Sequence, residues 1–316
     1  MRIVFIGTSS FGIPILSKLM DLKKDVVAVI TQPDRPCGRG KKIQASPIKA
    51  LALQYGLYVF QPEDINSEDA IREISRLQPD LIVLVAYGQI LSGTVLKLPT
   101  HGCLNIHPSL LPKYKGPAPI NWALIKGEEE TGITFLFMDE KIDAGDIILQ
   151  KRIKILAGEN FEQLSSRLAE ESAKLLEGVL FTVEKEECTL CPQPQEEYFY
   201  ARKIDKDDCR IDWKQDSRKI CNLIRGLTLS PCAYTEYDGR RVKIVEAHLL
   251  DQKEIRDNSW SYQPGSIIEL SKNGIMVLAG DGRVVVIKKV IPSGSSEMDA
   301  SGFINGYHVE VGDRFE

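Results

Sequence analysis

The sequence predicts an α/β fold, with a Rossmann-like N-terminal domain built on a mainly parallel sheet and a smaller C-terminal β-barrel domain of OB-like form. Two observations lead to this prediction. In the first half, short apolar runs alternate with helical patterns, which is typical of βαβ units on a parallel sheet. In the last third, Asn-Gly and Asp-Gly pairs separate apolar runs, and such pairs are strong signals for β-hairpins.

The elements of the first domain follow from these patterns in order. Strands are predicted at 2–6, 26–31, 81–86 and 103–106, and helices between and after them at 13–20, 48–54, 68–77 and 119–126. An extended run at 134–138, a strand at 147–155 and a long helix at 161–186 follow. The glycines at 7 and 12 do not have the GxGxxG spacing of a dinucleotide-binding turn, so we expect only a strand-to-helix turn there.

The second domain begins after a change in composition. Proline and polar residues predominate over 191–197, so we predict a catalytic domain at 1–188, a linker at 189–204 and a second domain at 205–316. A helix is predicted at 218–225 and strands at 234–237, 242–247, 266–270, 275–278 and 284–290. Short strands joined by tight turns favour a small barrel of the kind that binds oligonucleotides.

The bulk composition excludes several classes of protein. The chain has 316 residues, of which 43% are hydrophobic and 27% charged, as in ordinary globular proteins. No apolar run approaches the roughly 20 residues that span a bilayer, and the first residues lack the pattern of a secretion signal. Seven cysteines, an odd number, favour reduced thiols, and the single CxxC pair of Cys188 and Cys191 is interpreted as incidental. We expect a soluble cytoplasmic protein.

The densest chemical signal lies at the end of the predicted strand at 103–106. Asn105 and His107 are two residues apart in an extended segment, so both side chains can face one volume. That volume lies at the carboxyl end of a strand, where open α/β sheets bind their ligands. Farther along the chain, Asp143 and Asp146 lie in a predicted loop between strands. Either pair alone is compatible with ordinary hydrogen-bonded or solvated residues.

Together these residues resemble a known family. The order Asn-x-His, then Ser-Leu-Leu-Pro, then Asp-x-Gly-Asp is similar to that of the folate-dependent formyltransferases. The resemblance implies that Asn105, His107 and Asp143 form the catalytic set. It also implies a folate-binding segment made by Ser109, Leu110, Leu111 and Pro112. One departure is Lys141, which stands where the family commonly has a glycine, so the conformation of the loop there stays open.

The residue types suit the reaction that the resemblance implies. An amine attacks the formyl carbon of 10-formyltetrahydrofolate, and negative charge grows on the formyl oxygen. Asn105 can donate to that oxygen without titrating, and His107 can also donate. Asp143 near the imidazole can assist the transfer of a proton from the amine to the folate nitrogen. The chemistry requires neither a metal nor a covalent enzyme intermediate.

A basic segment indicates the acceptor of the formyl group. Between residues 35 and 49 there are five basic residues and no acidic ones, and two glycines flank Arg39. The segment resembles an insertion in those members of the family that formylate methionyl-initiator tRNA. The resemblance implies that Arg39, Lys41 and Lys42 bind tRNA, with the lysines contacting phosphates. The predicted partners of this chain, expected to be a monomer without membrane contact, are methionyl-initiator tRNA and the folate co-substrate.

Two alternatives stay open at this point. A formyltransferase of the same chemistry can act on an amino sugar nucleotide, although the basic loop argues against such an acceptor. A non-catalytic protein that binds tRNA can also use the same scaffold, although Asn105, His107 and Asp143 are all present. The net charge of −4 decides neither, because clustered basic residues matter more than the sum.

Overall fold

The computed structural model describes residues 1–37, 42–194, 198–250 and 262–316, which form two compact units. Unit 1 contains Met1–Pro119, Glu130–Lys154 and Ser165–Arg202. Unit 2 contains Lys203–Glu316 together with two short segments from earlier in the chain, Ile120–Glu129 and Ile155–Leu164. No local pattern in the sequence had indicated that these two segments belong to the second unit.

The strands of the first half of the chain are short. They are β1 (Arg2–Gly7), β2 (Asp25–Ile30), β3 (Arg35–Cys37), β4 (Lys42–Gln44), β5 (Val59–Phe60), β6 (Leu81–Val85), β7 (Cys103–His107), β8 (Glu130–Phe137) and β9 (Ile147–Lys154). The helices are α1 (Ile13–Asp21), α2 (Pro47–Gln54), α3 (Glu68–Arg76), α4 (Gly93–Leu96), α5 (Pro119–Lys126) and α6 (Phe161–Glu184).

Seven of these strands form the sheet of unit 1, in the order β5-β2-β1-β6-β7-β8-β9. From β5 to β7 in this order, each adjacent pair of strands is parallel, whereas β8 is antiparallel to both β7 and β9. The predicted mainly parallel sheet is therefore confirmed. Strand β6 is buried along its whole length and β1 along all but its first residue, as expected for apolar strands that are covered on both faces.

Strand β8 is longer than the predicted run at 134–138. It begins four residues earlier, where Glu130 pairs with Lys154 of β9. Gly132 interrupts the apolar pattern, and a side chain there would collide with Leu110 and with the carbonyl of Lys151. Gly132 therefore weakened the strand pattern in the sequence, but the close approach of Leu110 and Lys151 requires a glycine at this position.

From Lys203 onward, the described residues of unit 2 contain a six-stranded antiparallel sheet and two α-helices, and most of α5 also belongs to this unit. The strands are β10 (Ala233–Tyr237), β11 (Arg240–Leu249), β12 (Ile267–Ser271), β13 (Gly274–Leu278), β14 (Val284–Pro292) and β15 (Met298–Asp299), and the helices are α7 (Ser217–Gly226) and α8 (Ala300–Tyr307). The sheet order is β10-β11-β14-β13-β12, with β15 paired to β14. The β-rich second part is confirmed. Neither β15 nor α8 was predicted. Strand β15 has only two residues, and two glycines obscure the helical pattern of α8.

Residues 312–316 connect the two edges of this sheet. On one side, the Ile267 N–H donates to the Asp313 carbonyl at 2.7 Å, and the Phe315 N–H donates to the Gly265 carbonyl at 2.9 Å. On the other side, Glu316 and Glu236 exchange two main-chain hydrogen bonds of 2.9 and 3.0 Å. The edge strands β12 and β10 are thereby linked through this segment, which gives the sheet a barrel-like closure.

An aromatic cluster anchors the closing segment. The ring of Phe315 is buried and stacks on Trp213, with ring centroids 5.8 Å apart, and it lies 5.5 Å from the ring of Tyr237. The Tyr237 hydroxyl donates to Asp313 Oδ2 at 2.6 Å. Close-packed aromatic side chains are a large source of stability, so Phe315 holds the closing segment in place. In the described part of the chain, no helix is long and apolar enough to cross a membrane.

We expect Phe315→Ala to destabilise unit 2 by about 3–5 kcal/mol, because it leaves a cavity among buried rings. The measurement is urea unfolding, monitored through hydrogen exchange of the main-chain amides of β10 and β12. Phe181→Ala is the matched control, because Phe181 is an exposed phenylalanine on α6. Equal losses in the two variants would contradict the assigned role of Phe315.

Candidate active site

Three predicted residues meet at the carboxyl end of β7. Asn105 and His107 lie on this strand and are 6% and 5% exposed, and Asp143 lies in the loop between β8 and β9. Asn105 Nδ2 donates to Asp143 Oδ1 at 3.1 Å. His107 Nδ1 is 3.6 Å from Asp143 Oδ2. The structure thus brings an amide, an imidazole and a carboxylate together. For Asp146, the main-chain carbonyl accepts a hydrogen bond from the Phe137 N–H at 3.0 Å.

The contacts of His107 fix the orientation of its ring and show which ring nitrogen carries a hydrogen. Nε2 is 2.9 Å from the carbonyl oxygen of Tyr114, and because a carbonyl only accepts, Nε2 carries a hydrogen. The distance from Nδ1 to the carboxylate of Asp143 is too long for a hydrogen bond, so the two attract each other mainly when the ring is protonated. The Tyr114 carbonyl therefore fixes the orientation of the ring and leaves Nδ1 facing the cluster.

The loop that carries Asp143 has a constrained backbone. Asp143 has a φ of 48°, in the left-handed region, and its Oδ2 accepts from the Gly116 N–H at 2.8 Å. A side chain on Gly145 would collide with the Phe137 carbonyl, so this glycine is required. Non-glycine residues in the left-handed region carry strain that surrounding contacts must hold, and such residues cluster at functional sites.

Lys141 does not disturb this loop. Its N–H donates to Asp139 Oδ1 at 2.9 Å, so an aspartate side chain makes the turn. The left-handed conformation falls on Asp143 and not on Lys141, which explains why the loop closes without a glycine at that position.

Gln193 supports the same loop and was not identified from the sequence. Its Nε2 donates to the carbonyls of Asp143 and Gly145, at 2.9 and 2.8 Å. Its Oε1 is buried and has no hydrogen-bond partner in the described part of the chain. Gln193 lies within the stretch predicted as a linker, in a polar and proline-bearing context that gave no signal of a contact with a loop 50 residues away.

Two polar side chains, those of Thr134 and Gln150, form hydrogen bonds to the main chain of the predicted folate segment. Thr134 Oγ1 donates to the Ser109 carbonyl at 2.6 Å and accepts from the Leu111 N–H at 3.2 Å. Gln150 Nε2 donates to the Leu111 carbonyl at 2.9 Å and to Thr134 Oγ1 at 3.0 Å. The register of the sheet explains this cluster, because His107 pairs with Thr134 and Thr134 pairs with Gln150. Neither supporting residue was identified from the sequence.

The four residues of the predicted folate segment do not share one environment. Ser109 and Leu111 are buried, and the Ser109 hydroxyl donates to the Lys113 carbonyl at 2.7 Å. Leu110 and Pro112 are partly exposed. Two of the four side chains therefore support the segment from inside, and the other two reach the surface.

The basic loop is described only at its base. Arg39 and Lys41 lie outside the described residues, and Lys42 begins β4, which pairs with β3. At the base, Lys49 Nζ is 2.6 Å from Asp34 Oδ2, and Gln61 Nε2 donates to Asp34 Oδ1 at 2.8 Å. The hydrogen bond from Lys49 lowers the pKa of Asp34. The entry and the exit of the basic loop are therefore joined by an ion pair.

The cysteines and acidic residues form no metal cluster in the described ranges. No group of three or more His, Cys, Asp or Glu side chains there is arranged to hold a metal ion. Cys188 and Cys191 are free thiols. The main chain of Cys191 exchanges two hydrogen bonds of 2.9 Å with Ile147 at the start of β9, so this residue extends the edge of the sheet.

The chain is similar to known proteins along its whole length. Residues 1–180 match the family Formyl transferase, and residues 203–308 match Formyl transferase, C-terminal domain. The methionyl-tRNA formyltransferase of Alkaliphilus oremlandii is 41% identical over 312 residues, which cover 99% of this chain and 98% of the relative. The methionyl-tRNA formyltransferase of Clostridium tetani is 42% identical over 313 residues, with 99% and 98% covered.

Among solved structures, HypX from Aquifex aeolicus in complex with tetrahydrofolic acid has a TM-score of 0.69 and 19% identity. The match covers 98% of this chain, which spans about half (48%) of HypX. An N-formyltransferase from Helicobacter canadensis, in complex with folinic acid and dTDP-3-aminofucose, has a TM-score of 0.65 and 19% identity, with 91% and 98% covered. At these identities the two structures show a shared fold.

We expect Thr134→Val to destabilise unit 1, because its buried hydroxyl bonds the main chain on both sides of Leu110. Each buried group left without a partner costs about 1–3 kcal/mol. Thermal unfolding measures the loss. Thr182→Val is the control, because the Thr182 hydroxyl donates within its own helix, to the Val179 carbonyl. A loss for Thr134→Val equal to or smaller than that for this control would show that the hydroxyl does not support the predicted folate segment.

Proposed function

Because this chain belongs to the formyl transferase family, and within it to the methionyl-tRNA formyltransferases, we propose that it transfers the formyl group of 10-formyltetrahydrofolate to the free α-amino group of methionyl-initiator tRNA. The product, N-formylmethionyl-tRNA, serves translation initiation. The observation that carries the proposal is the convergence of Asn105, His107 and Asp143 at the end of a sheet strand. The proposal includes the predicted cytoplasmic location and monomeric state.

The residues around the cluster suit a folate formyl donor, which supplies an electrophilic formyl carbon and a nitrogen leaving group. Two loops beside the cluster carry exposed apolar side chains, Ile90 after β6 and Ile142 after β8. These loops are neighbours, because a side chain on Gly93 would collide with Glu140. Apolar surface with a few polar groups nearby is typical of small-molecule sites. Leu110 and Pro112 add partly exposed apolar surface on the predicted folate segment.

In the proposed mechanism, Asn105 and His107 act on the formyl oxygen. One N–H of the Asn105 amide is held by Asp143, which fixes the amide plane and leaves a second N–H to donate. The imidazole of His107 is held at Nε2 by the Tyr114 carbonyl, so Nδ1 is the nitrogen available to the cluster, and it donates when the ring is protonated. Donors that are fixed before the reaction stabilise developing charge without reorganisation.

Asp143 is proposed to handle the proton that the attacking amine loses. Its carboxylate is 13% exposed and contacts both Asn105 and His107. In the proposed relay, the carboxylate accepts the proton that the amine loses, and a protonated His107 imidazole gives the proton on Nδ1 to the folate nitrogen as that nitrogen leaves. The proton on Asp143 then returns to Nδ1 of His107. Gly116 and Gln193 position the carboxylate and its main chain for this task.

Residues 205–316 are proposed to bind the tRNA, with 1–188 as the catalytic domain and 189–204 as the linker. On the outer side of the strand pair β10 and β11, the Arg241 guanidinium lies 4.0 Å from the centre of the Tyr234 ring. Lys243 is paired directly with Tyr234 across the two strands. A cationic strip beside an aromatic ring suits the phosphate backbone and bases of RNA.

The direct test is incubation of the purified protein with 10-formyltetrahydrofolate and methionyl-initiator tRNA, followed by product analysis. We expect Asn105→Ala to lower kcat roughly 10²–10³-fold, because it removes a donor to the formyl oxygen. His107→Ala and Asp143→Ala should also lower kcat more than they raise KM. Thr182→Val is the control for general damage. Formylation of an amino sugar nucleotide in preference to the tRNA, or full activity in all three variants, would overturn the proposal.

The basic loop is proposed to position the tRNA rather than to take part in the chemistry. We expect Arg39→Ala to raise the KM for methionyl-tRNA and to leave the KM for the folate unchanged, because it removes a cation from the RNA contact. The effect should shrink at high salt, where phosphate contacts weaken in both proteins. Steady-state kinetics with each substrate varied in turn measure it. An unchanged KM for tRNA would contradict the role of the loop.

A further inference from the structure

Two exposed aromatic residues lie next to the candidate active site. Phe199 and Tyr200 are 41% and 48% exposed, and their main chain is fixed against residues 114–118. The Tyr114 N–H donates to the Phe199 carbonyl at 3.1 Å, and the Ala201 N–H donates to the Lys115 carbonyl at 2.7 Å. The rings are therefore displayed by an ordered strand-like pair, inside unit 1.

The ring of Tyr200 is close to the catalytic carboxylate. A Cβ atom on Gly116 would lie 2.8 Å from Tyr200 Cε2 and 2.9 Å from Cζ, so the ring rests against the backbone of Gly116. The N–H of the same glycine donates to Asp143 Oδ2 at 2.8 Å. A single residue thus separates the aromatic ring from the carboxylate.

The two aromatic residues differ in what they contact. The ring of Phe199 packs edge-on against Tyr114, with centroids 5.5 Å apart, and Tyr114 in turn holds His107 through its carbonyl. Phe199 therefore supports the active site. Tyr200 keeps nearly half of its surface exposed at the edge of the site, and its main chain pairs with that of Lys115.

We infer that Tyr200 is a binding residue for the 3′-terminal nucleobase of the acceptor, which stacks on the phenol ring while the amine meets Asp143. This inference rests on the proposed function, because it concerns the acceptor of the same reaction. In an aminoacyl-tRNA, only the amino-acid ester and one ribose lie between the reacting amine and the terminal base. The base must therefore lie close to Asp143, and Tyr200 offers an exposed ring against Gly116, the residue whose N–H binds Asp143.

Stacking on Tyr200 would contribute to acceptor binding only when the terminal base is present. Every nucleobase offers a flat face to an aromatic ring, so the contact places the terminal nucleoside without reading sequence. The energy of stacking one base on one aromatic side chain corresponds to a change in binding of roughly 5- to 150-fold. A purely structural tyrosine would lower activity equally for acceptors with and without the base.

The test is a double-mutant cycle between the ring and the base. Methionyl-initiator tRNA is compared with the same charged tRNA carrying an abasic ribose at its 3′ end, using wild-type protein and Tyr200→Ala. For the wild type, removal of the base should lower kcat/KM roughly 5- to 150-fold, and for Tyr200→Ala it should have little further effect. Tyr200→Trp should retain the dependence on the base.

Tyr58→Ala is the matched control, because Tyr58 is also about half exposed and its hydroxyl donates to Glu73 at 3.1 Å, among residues with no part in the site. This control should keep the wild-type dependence on the base. Equal sensitivity to base removal in wild type and Tyr200→Ala, or no sensitivity in either, would overturn the inference. Failure of the wild type to formylate any charged tRNA would instead refute the proposed function.

Discussion

The carboxylate of Asp143 is the group on which the site depends. Its Oδ1 accepts from Asn105, and its Oδ2 accepts from the Gly116 main chain and faces His107. A carboxylate removed from water is costly unless its oxygens find donors. Because those donors come from β7 and from the segment that follows it, the carboxylate draws together parts of the chain that the sheet alone does not join.

The backbone beneath this carboxylate is held as firmly as the side chain. The left-handed conformation of Asp143 needs support, and Gln193 supplies it by binding the carbonyls of Asp143 and Gly145. Gly145 lies against the Phe137 carbonyl with no room for a side chain. Preorganisation of the site therefore depends on residues that never need to touch a substrate.

Local patterns were sufficient to predict the parallel sheet, whereas the resemblance to a family was needed to predict that Asn105, His107 and Asp143 act together. The apolar runs of β1 and β6 are visible as strands because buried parallel strands are continuously apolar. In β7, Asn105 and His107 stand out because they are polar residues that interrupt a short apolar strand. Gln193 and Thr134 do not stand out, because their roles arise from hydrogen bonds between distant segments. Helix α8 was missed because packing overrides the weak propensity of its glycines.

The composition of unit 2 bears on how this architecture can be recombined. Its body starts at Lys203, but Ile120–Glu129 and Ile155–Leu164 belong to it as well. Asn121 Nδ2 donates to the Gly226 carbonyl at 2.8 Å, and Arg225 reaches the Glu159 carbonyl at 3.3 Å. A chimera joined only at the linker would combine the C-terminal part of unit 2 from one relative with the two earlier segments of unit 2 from another. Exchange between relatives should therefore transfer three stretches of sequence as one module.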